Sequence, residues 1–226
     1  MDIAIIGAGN IGATLTRRLT ALGHQVSVAN SRGPGTLTDL AAETGAIALP
    51  IAEVTTGADM VIVAIPESSI SKLPSGVLDG ISDGATVVDT GNYVPTLRDA
   101  TIDDLERGTV ESRWTEAHLG HAVIKAFNTI QAPELAARGK PAGAPGRIAL
   151  PVAGDDGAAK ARVIALVEQL GFDAIDGGGL DESWRQQPGT PVYTADLDAQ
   201  AARAALAEAT PQDTKAWRAR LNARPT

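Results

Sequence analysis

A chain of 226 residues is long enough for one large α/β domain or two small ones and for a sizeable buried core. Lys+Arg 19 against Asp+Glu 27 gives a net charge of -8, which argues against nucleic acid or an anionic membrane as the main partner. With Cys 0 there are no disulfides, thiolate metal ligands or cysteine nucleophile; the 3 histidines are not spaced as ligands, so no metal site is expected, and no apolar run approaches the roughly 20 residues of a membrane span. Ile3 to Ile6 reads as the first strand. A helix follows from about Asn10 to Leu22, with Ile11, Leu15, Leu19 and Leu22 on one face and Arg17 and Arg18 pointing away, and Gly23 stops it. Gln25 to Ala29 is the second strand, Thr36 to Thr44 is helical, and Ala46 to Leu49 is a short third strand. The nearly all-apolar Met60 to Ile65 reads as a strand covered on both faces, and Thr86 to Asp89 and Val123 to Phe127 read the same way.

Further along, a strand, a helix and a strand occupy roughly Arg147 to Ile175. Asp155 or Asp156 caps that helix, and Val163, Val167 and Leu170 mark its buried face. The loop from Gly139 to Gly146 is rich in Gly, Ala and Pro. The strand pattern resumes after it, so one continuing sheet is expected. Two helical stretches close the chain. One starts near Asp198; the other has Thr210 as cap, Pro211 at its first position, and Trp217 with Leu221 on one face. Alternating strands and helices imply a doubly wound, mostly parallel α/β sheet.

The strongest motif is Gly7-Ala8-Gly9-Asn10-Ile11-Gly12, with an apolar strand running into it and an amphipathic helix running out. Gly7 allows the sharp turn, Gly9 lets the backbone approach a pyrophosphate, and Gly12 lets the helix pack close to the sheet. The helix N-terminus adds unpaired N–H groups and partial positive charge. This is a Rossmann-type dinucleotide loop. The end of the second strand decides which dinucleotide. NAD binders carry an acid there for the ribose 2′-hydroxyl, but no acid stands between His24 and Thr38. Instead Asn30, Ser31 and Arg32 offer hydrogen bonds and a charged fork to a 2′-phosphate, which points to NADP(H).

Together the IIGAGNIG opening, the NSR triplet, VIVAIP at Val61 to Pro66, VIKAFNT at Val123 to Thr129 and PVAGDD at Pro151 to Asp156 resemble the NADP oxidoreductases dependent on the deazaflavin coenzyme F-420 (F420), over roughly Met1 to Asp176. The resemblance implies a Rossmann domain over 1–178 and a short helical C-terminal extension over 179–226, packed on the same domain, and a homodimer. It assigns Gly7, Gly9, Asn10, Ile11 and Gly12 to the pyrophosphate, Asn30, Ser31 and Arg32 to the 2′-phosphate, Ala64, Ile65 and Pro66 to the loop passing the adenine-side ribose and nicotinamide, and Ala126 and Asn128 to the strand end near the nicotinamide. Asn128 stands where some members carry histidine.

No catalytic residue is named by the sequence. Asp89 either orients a ribose or caps Thr90-Gly91-Asn92, and His121 reads as a capping or surface histidine. Trp184 and Arg185 are the candidate substrate-binding pair, the indole covering a flat ring and the guanidinium holding an anionic group; a tail loop or a dimer contact is the competing reading. The expected function is hydride transfer between NADPH and a second redox cofactor, F420 or a flavin. The alternatives are an NADPH-dependent reductase of a small carbonyl or imine and a non-catalytic NADP-binding protein. The expected partner is a small redox substrate, with no nucleic acid or membrane. The chain opens directly on an apolar strand, and the expected location is the cytoplasm.

Overall fold

A computed structural model describes residues 1–223. In chain order the elements are β1 (Asp2–Ile6), α1 (Asn10–Ala21), β2 (Gln25–Ala29), α2 (Thr38–Thr44), β3 (Ile47–Ala48), β4 (Met60–Val63), α3 (Glu67–Ile70), β5 (Thr86–Asp89), α4 (Asp103–Glu106), α5 (Glu111–Leu119), β6 (Val123–Lys125), α6 (Ala132–Ala137), β7 (Ala149–Val152), α7 (Gly157–Gln169), β8 (Asp173–Asp176), α8 (Ala199–Glu208) and α9 (Pro211–Asn222). Short 3₁₀ turns cover Pro34–Thr36 and Leu180–Gln186.

Six strands form a parallel sheet in the order β3-β2-β1-β4-β5-β6. Alternate side chains go to opposite faces, and both faces are covered. Ile3, Ile5, Val28, Met60, Ile62 and Val88 meet α1, α6 and α7 on one side. Ala4, Ile6, Val61, Val63 and Val87 meet Ile70, Leu105 and Trp114 on the other. This is the Rossmann-type α/β arrangement. The strand order reverses at β1 and β4, so their carboxyl ends frame a crevice.

The α1 stripe is narrower than its sequence pattern. Leu15 and Leu19 are fully buried, but Leu22 lies beyond the last turn and is exposed. Arg18 does not point away. Its guanidinium reaches the free carbonyls at the ends of α6 and α7, donating to Leu135 O at 2.7 Å and Leu170 O at 2.5 Å. Arg17 does face solvent, where it pairs with Glu43. Strand β4 stops at Val63 rather than Ile65, because Ala64 turns across the glycine loop. The helix expected from Thr36 begins at Thr38, after the 3₁₀ turn, and β3 contracts to a residue pair.

The expected single continuing sheet is replaced by two ladders. Strands β7 and β8 pair only with each other, in parallel. They meet β6 at one antiparallel bridge, where Lys125 N donates to Ala153 O at 2.8 Å and Ala153 N to Lys125 O at 3.0 Å. The next position of β7 facing β6 is Pro151, which has no N–H, so the ladder cannot extend. Asp156 is the cap of α7, accepting from Ala158 N and Ala159 N. Asp155 instead accepts from Leu180 N and pairs with Arg113.

Helix α8, capped by Asp198, packs Ala202 and Leu206 against Ala149 and Ile175. Helix α9 returns to α4 and α5 through Arg218, which donates to Leu105 O at 2.7 Å and to Glu111 Oε1 at 2.9 Å. Among the described residues no helix is long and apolar enough to cross a membrane.

Candidate dinucleotide and acceptor cleft

The carboxyl ends of β1, β4, β5 and β6 open onto a cleft of about 620 Å³. A second cavity of about 500 Å³ runs toward the end of β2. Gly9, Ala64, Ile65 and Pro66 line both, so the two form one groove across the glycine loop. The glycines divide their work as the motif requires. Gly7 has φ 108, and a Cβ there would strike Ala64 O; a Cβ on Gly12 would strike Gly7 O. These two fix the turn and the helix approach. Gly9 differs: a Cβ there would meet nothing within 4 Å. The space beside Gly9 is open groove, next to an α1 N-terminus with no side-chain cap and no acid in its first turn. A pyrophosphate fits this cradle in charge and access.

At the β2 end, Asn30 shapes the turn rather than reaching out. Its Oδ1 accepts from Arg32 N at 2.9 Å, and its Nδ2 donates to Thr36 Oγ1 at 2.9 Å. Ser31 and Arg32 are exposed on the turn thus made. Of the described residues lining this cavity, none carries a carboxylate, while Arg32 and Lys72 carry cations. Lys72 was not visible as a site residue in the sequence, since it lies forty residues from the triplet that it joins.

Asn128 lines the other end of the groove, whereas Ala126 is packed wholly into the core and lines neither cavity. Between them Phe127 has φ 63, a conformation that costs a bulky residue on the order of 1–3 kcal/mol. It sends the Phe127 ring into the core and ends β6 two residues earlier than its apolar pattern suggests. Asn128 is fully engaged within the protein. Its Nδ2 donates to Gln186 O at 2.7 Å and to Asn92 Oδ1 at 3.1 Å, and its Oδ1 accepts from Gln186 Nε2 at 2.8 Å. It therefore positions the strand end instead of presenting a free amide.

A buried charge cluster underlies the cleft floor. Lys125 Nζ pairs with Asp89 Oδ2 at 2.9 Å and donates to Gly91 O at 2.7 Å. Asp89 also accepts from Gly91 N at 2.7 Å and Ser112 Oγ at 2.8 Å. The capping role of Asp89 thus holds, and its carboxylate has no room left for a ribose. Glu67, wholly buried, accepts from Thr115 Oγ1 at 3.0 Å, while its other oxygen has no partner. Burial, then the Asp89 carboxylate, push the Glu67 carboxyl well above the ordinary glutamate range, against the pull of Lys125. Burial pulls Lys125 down, but the Asp89 carboxylate beside it, with Glu111, outweighs burial and holds the ammonium charged. Glu67, Asp89 and Glu111 face the cations Lys125 and Arg218, and these charges balance when Glu67 keeps its proton.

Trp184 and Arg185 are not brought to this cleft. Trp184 lines a separate cavity of about 300 Å³ with Thr109, Thr214, Lys215 and Arg218. Arg185 stacks on the indole at 4.4 Å and pairs with Glu182 at 2.6 Å. From the tail it is Tyr193 and Thr194 that line the cleft, opposite Arg98 and Asn92.

A family model described as NADP oxidoreductase, coenzyme F420-dependent, matches residues 2–93. The hypothetical protein SMa0349 from Sinorhizobium meliloti is 33% identical; the superposition covers 87% of this chain and 95% of that one, with a TM-score of 0.73. A structure from Arthrobacter sp. FB24, described as a proposed F420-dependent NADP reductase, is 28% identical over 80% of this chain and 86% of its own, with a TM-score of 0.65. The protein YjhV of Escherichia coli K12 is 49% identical over 59 residues, which span 26% of this chain and 43% of YjhV.

Proposed function

The chain belongs to the coenzyme F420-dependent NADP oxidoreductase family, and we propose on that premise that it moves a hydride between NADPH and a second redox ring, F420 or a flavin. One observation carries the reading. The groove beside the glycine loop ends in a cavity with two cations and no carboxylate among its described lining residues, which suits a 2′-phosphate and disfavours a bare ribose diol.

When bound, NADPH supplies the hydride. The protein's own part is placement and exclusion of water. The open side of Gly9 and the first amides of α1 take the pyrophosphate, while Ser31, Arg32 and Lys72 take the 2′-phosphate. Ile65 and Pro66 lead the groove toward the cleft between Asn92 and Asn128, and the acceptor ring occupies that cleft under Arg98, Tyr193 and Thr194. This places the acceptor away from Trp184 and Arg185.

The test is NADPH and NADH oxidation with F420, a flavin and small carbonyls offered in turn. NADPH consumption with a ring acceptor supports the reading. Consumption with carbonyls alone replaces the acceptor class, and binding of NADPH without consumption makes the chain a binding protein.

A further inference from the structure

Hydride addition leaves an added electron pair on an oxygen or nitrogen of the acceptor, which a carbonyl or imine must cover with a proton and which a proton donor beside a redox ring stabilises. Of the described residues lining the cleft, two have titratable side chains, Arg98 and Tyr193. Arginine stays charged at working pH and cannot serve. The carboxyls of Glu67, Asp89 and Glu111 lie beneath the floor with essentially no exposure. Resting on the hydride-transfer reading above, we propose that Tyr193 is the proton donor to the acceptor.

Its surroundings hold it in place. Thr194 N donates to Thr129 O at 2.9 Å, which pins the tail to the loop after β6. Thr194 and Asp196 have φ 54 and 51, so the chain turns back directly after Tyr193. The phenol ring rests edge-on against Trp217 of α9, with centroids 6.2 Å apart. No hydrogen-bond partner for its hydroxyl is found among the described residues, whereas the Tyr93 hydroxyl accepts from Ile102 N. Burial and the Glu111 carboxylate favour the neutral phenol; Arg98 and Lys125 oppose them and stabilise the tyrosinate that donation leaves. In the step, the Tyr193 O–H bond breaks and an O–H or N–H bond forms on the acceptor. The electron pair arrives with the hydride from NADPH, and the tyrosinate recovers its proton from water.

The test combines turnover with an acceptor-free titration. Tyr193→Phe should bind NADPH as the parent does by calorimetry and turn over about a hundredfold more slowly. The parent's loss of activity at alkaline pH should vanish in the variant. The chain has Tyr 2, and burial pushes Tyr93 up to about 12. A tyrosinate transition present in the parent and absent from Tyr193→Phe therefore reports Tyr193. Adding NADP+ should move that transition to lower pH, since the oxidised nicotinamide brings positive charge to the cleft. Parental turnover by Tyr193→Phe, or a Tyr193 titration indifferent to NADP+, overturns the assignment. A titration that responds to NADP+ in a protein that reduces no acceptor supports the placement of Tyr193 and refutes the hydride-transfer reading instead.

Discussion

Asn128 and Gln186 bond each other reciprocally: Asn128 Nδ2 donates to Gln186 O at 2.7 Å and Gln186 Nε2 donates to Asn128 Oδ1 at 2.8 Å. The pair ties the end of β6 to the tail across 58 residues of sequence. The tail is thereby part of the cleft wall, and Asn128 acts by holding Asn92 and the strand end in place. Gln186→Leu removes the donor to a buried oxygen, which costs about 1–3 kcal/mol. Chemical denaturation should show that loss, and acceptor turnover should fall more than NADPH affinity. A variant as stable as the parent would mean that the amide pair contributes nothing to the wall.

Cofactor choice should follow the cations of the second cavity. A hydrogen bond to a charged group contributes about 1.5–3 kcal/mol, so Arg32→Ala should weaken NADPH binding by about tenfold or more. NADH binding should hardly change, and Lys72→Ala should act in the same direction. Equal affinity of the parent protein for NADPH and NADH, read by calorimetry, sinks this assignment.

Gly9 and Gly12 should fail differently. Gly9→Val projects a branched side chain into open groove, so the fold should survive while NADPH binding is lost. Gly12→Ala drives a methyl into Gly7 O and should lower the melting temperature instead. Wild-type NADPH affinity in folded Gly9→Val would place the pyrophosphate elsewhere.

Glu67 should make stability depend on pH. Unfolded, a glutamate releases its proton near about 4.3; folded, burial and Asp89 make Glu67 hold it to much higher pH. Between those limits the folded state binds the extra proton, so stability falls as pH rises, by at most about 1.4 kcal/mol per pH unit. Glu67→Gln removes this contribution. Denaturation series from acid to alkaline pH should show a steeper decline for the parent than for the variant, and parallel curves would mean that Glu67 is ionised in the folded chain.

Strand β1 was legible as the apolar run Ile3 to Ile6, β2 as Val26 and Val28 alternating with Gln25 and Ser27, and the glycine loop because strand and helix flank it as the motif demands. Helix α5 was not, since its buried side joins Trp114 to Glu111, Ser112 and Thr115, and the three polar residues resemble a solvated face until Glu67, Asp89 and Arg218 meet them. Helices α3, α4 and α6 are too short for periodicity to register. Arg18 looked like a surface residue because its carbonyl partners lie 117 and 152 residues away. The cleft wall shows the same limit. The polar and aromatic run Trp184 to Gln187 stands out by composition, yet of Trp184, Arg185 and Gln186 only Gln186 bonds to the cleft wall, and Tyr193 reaches the cleft only through the path of the tail.

An isotopic label on the transferred hydride tests the proposed reaction itself. NADPH deuterated at the nicotinamide C4 position should be consumed with F420 or a flavin and deliver its deuterium to the reduced acceptor. For a flavin, whose hydride position exchanges with water, a slowed single turnover is the readout. NADPH that binds but is never oxidised by any acceptor, or an F420 product free of the label, would contradict the account.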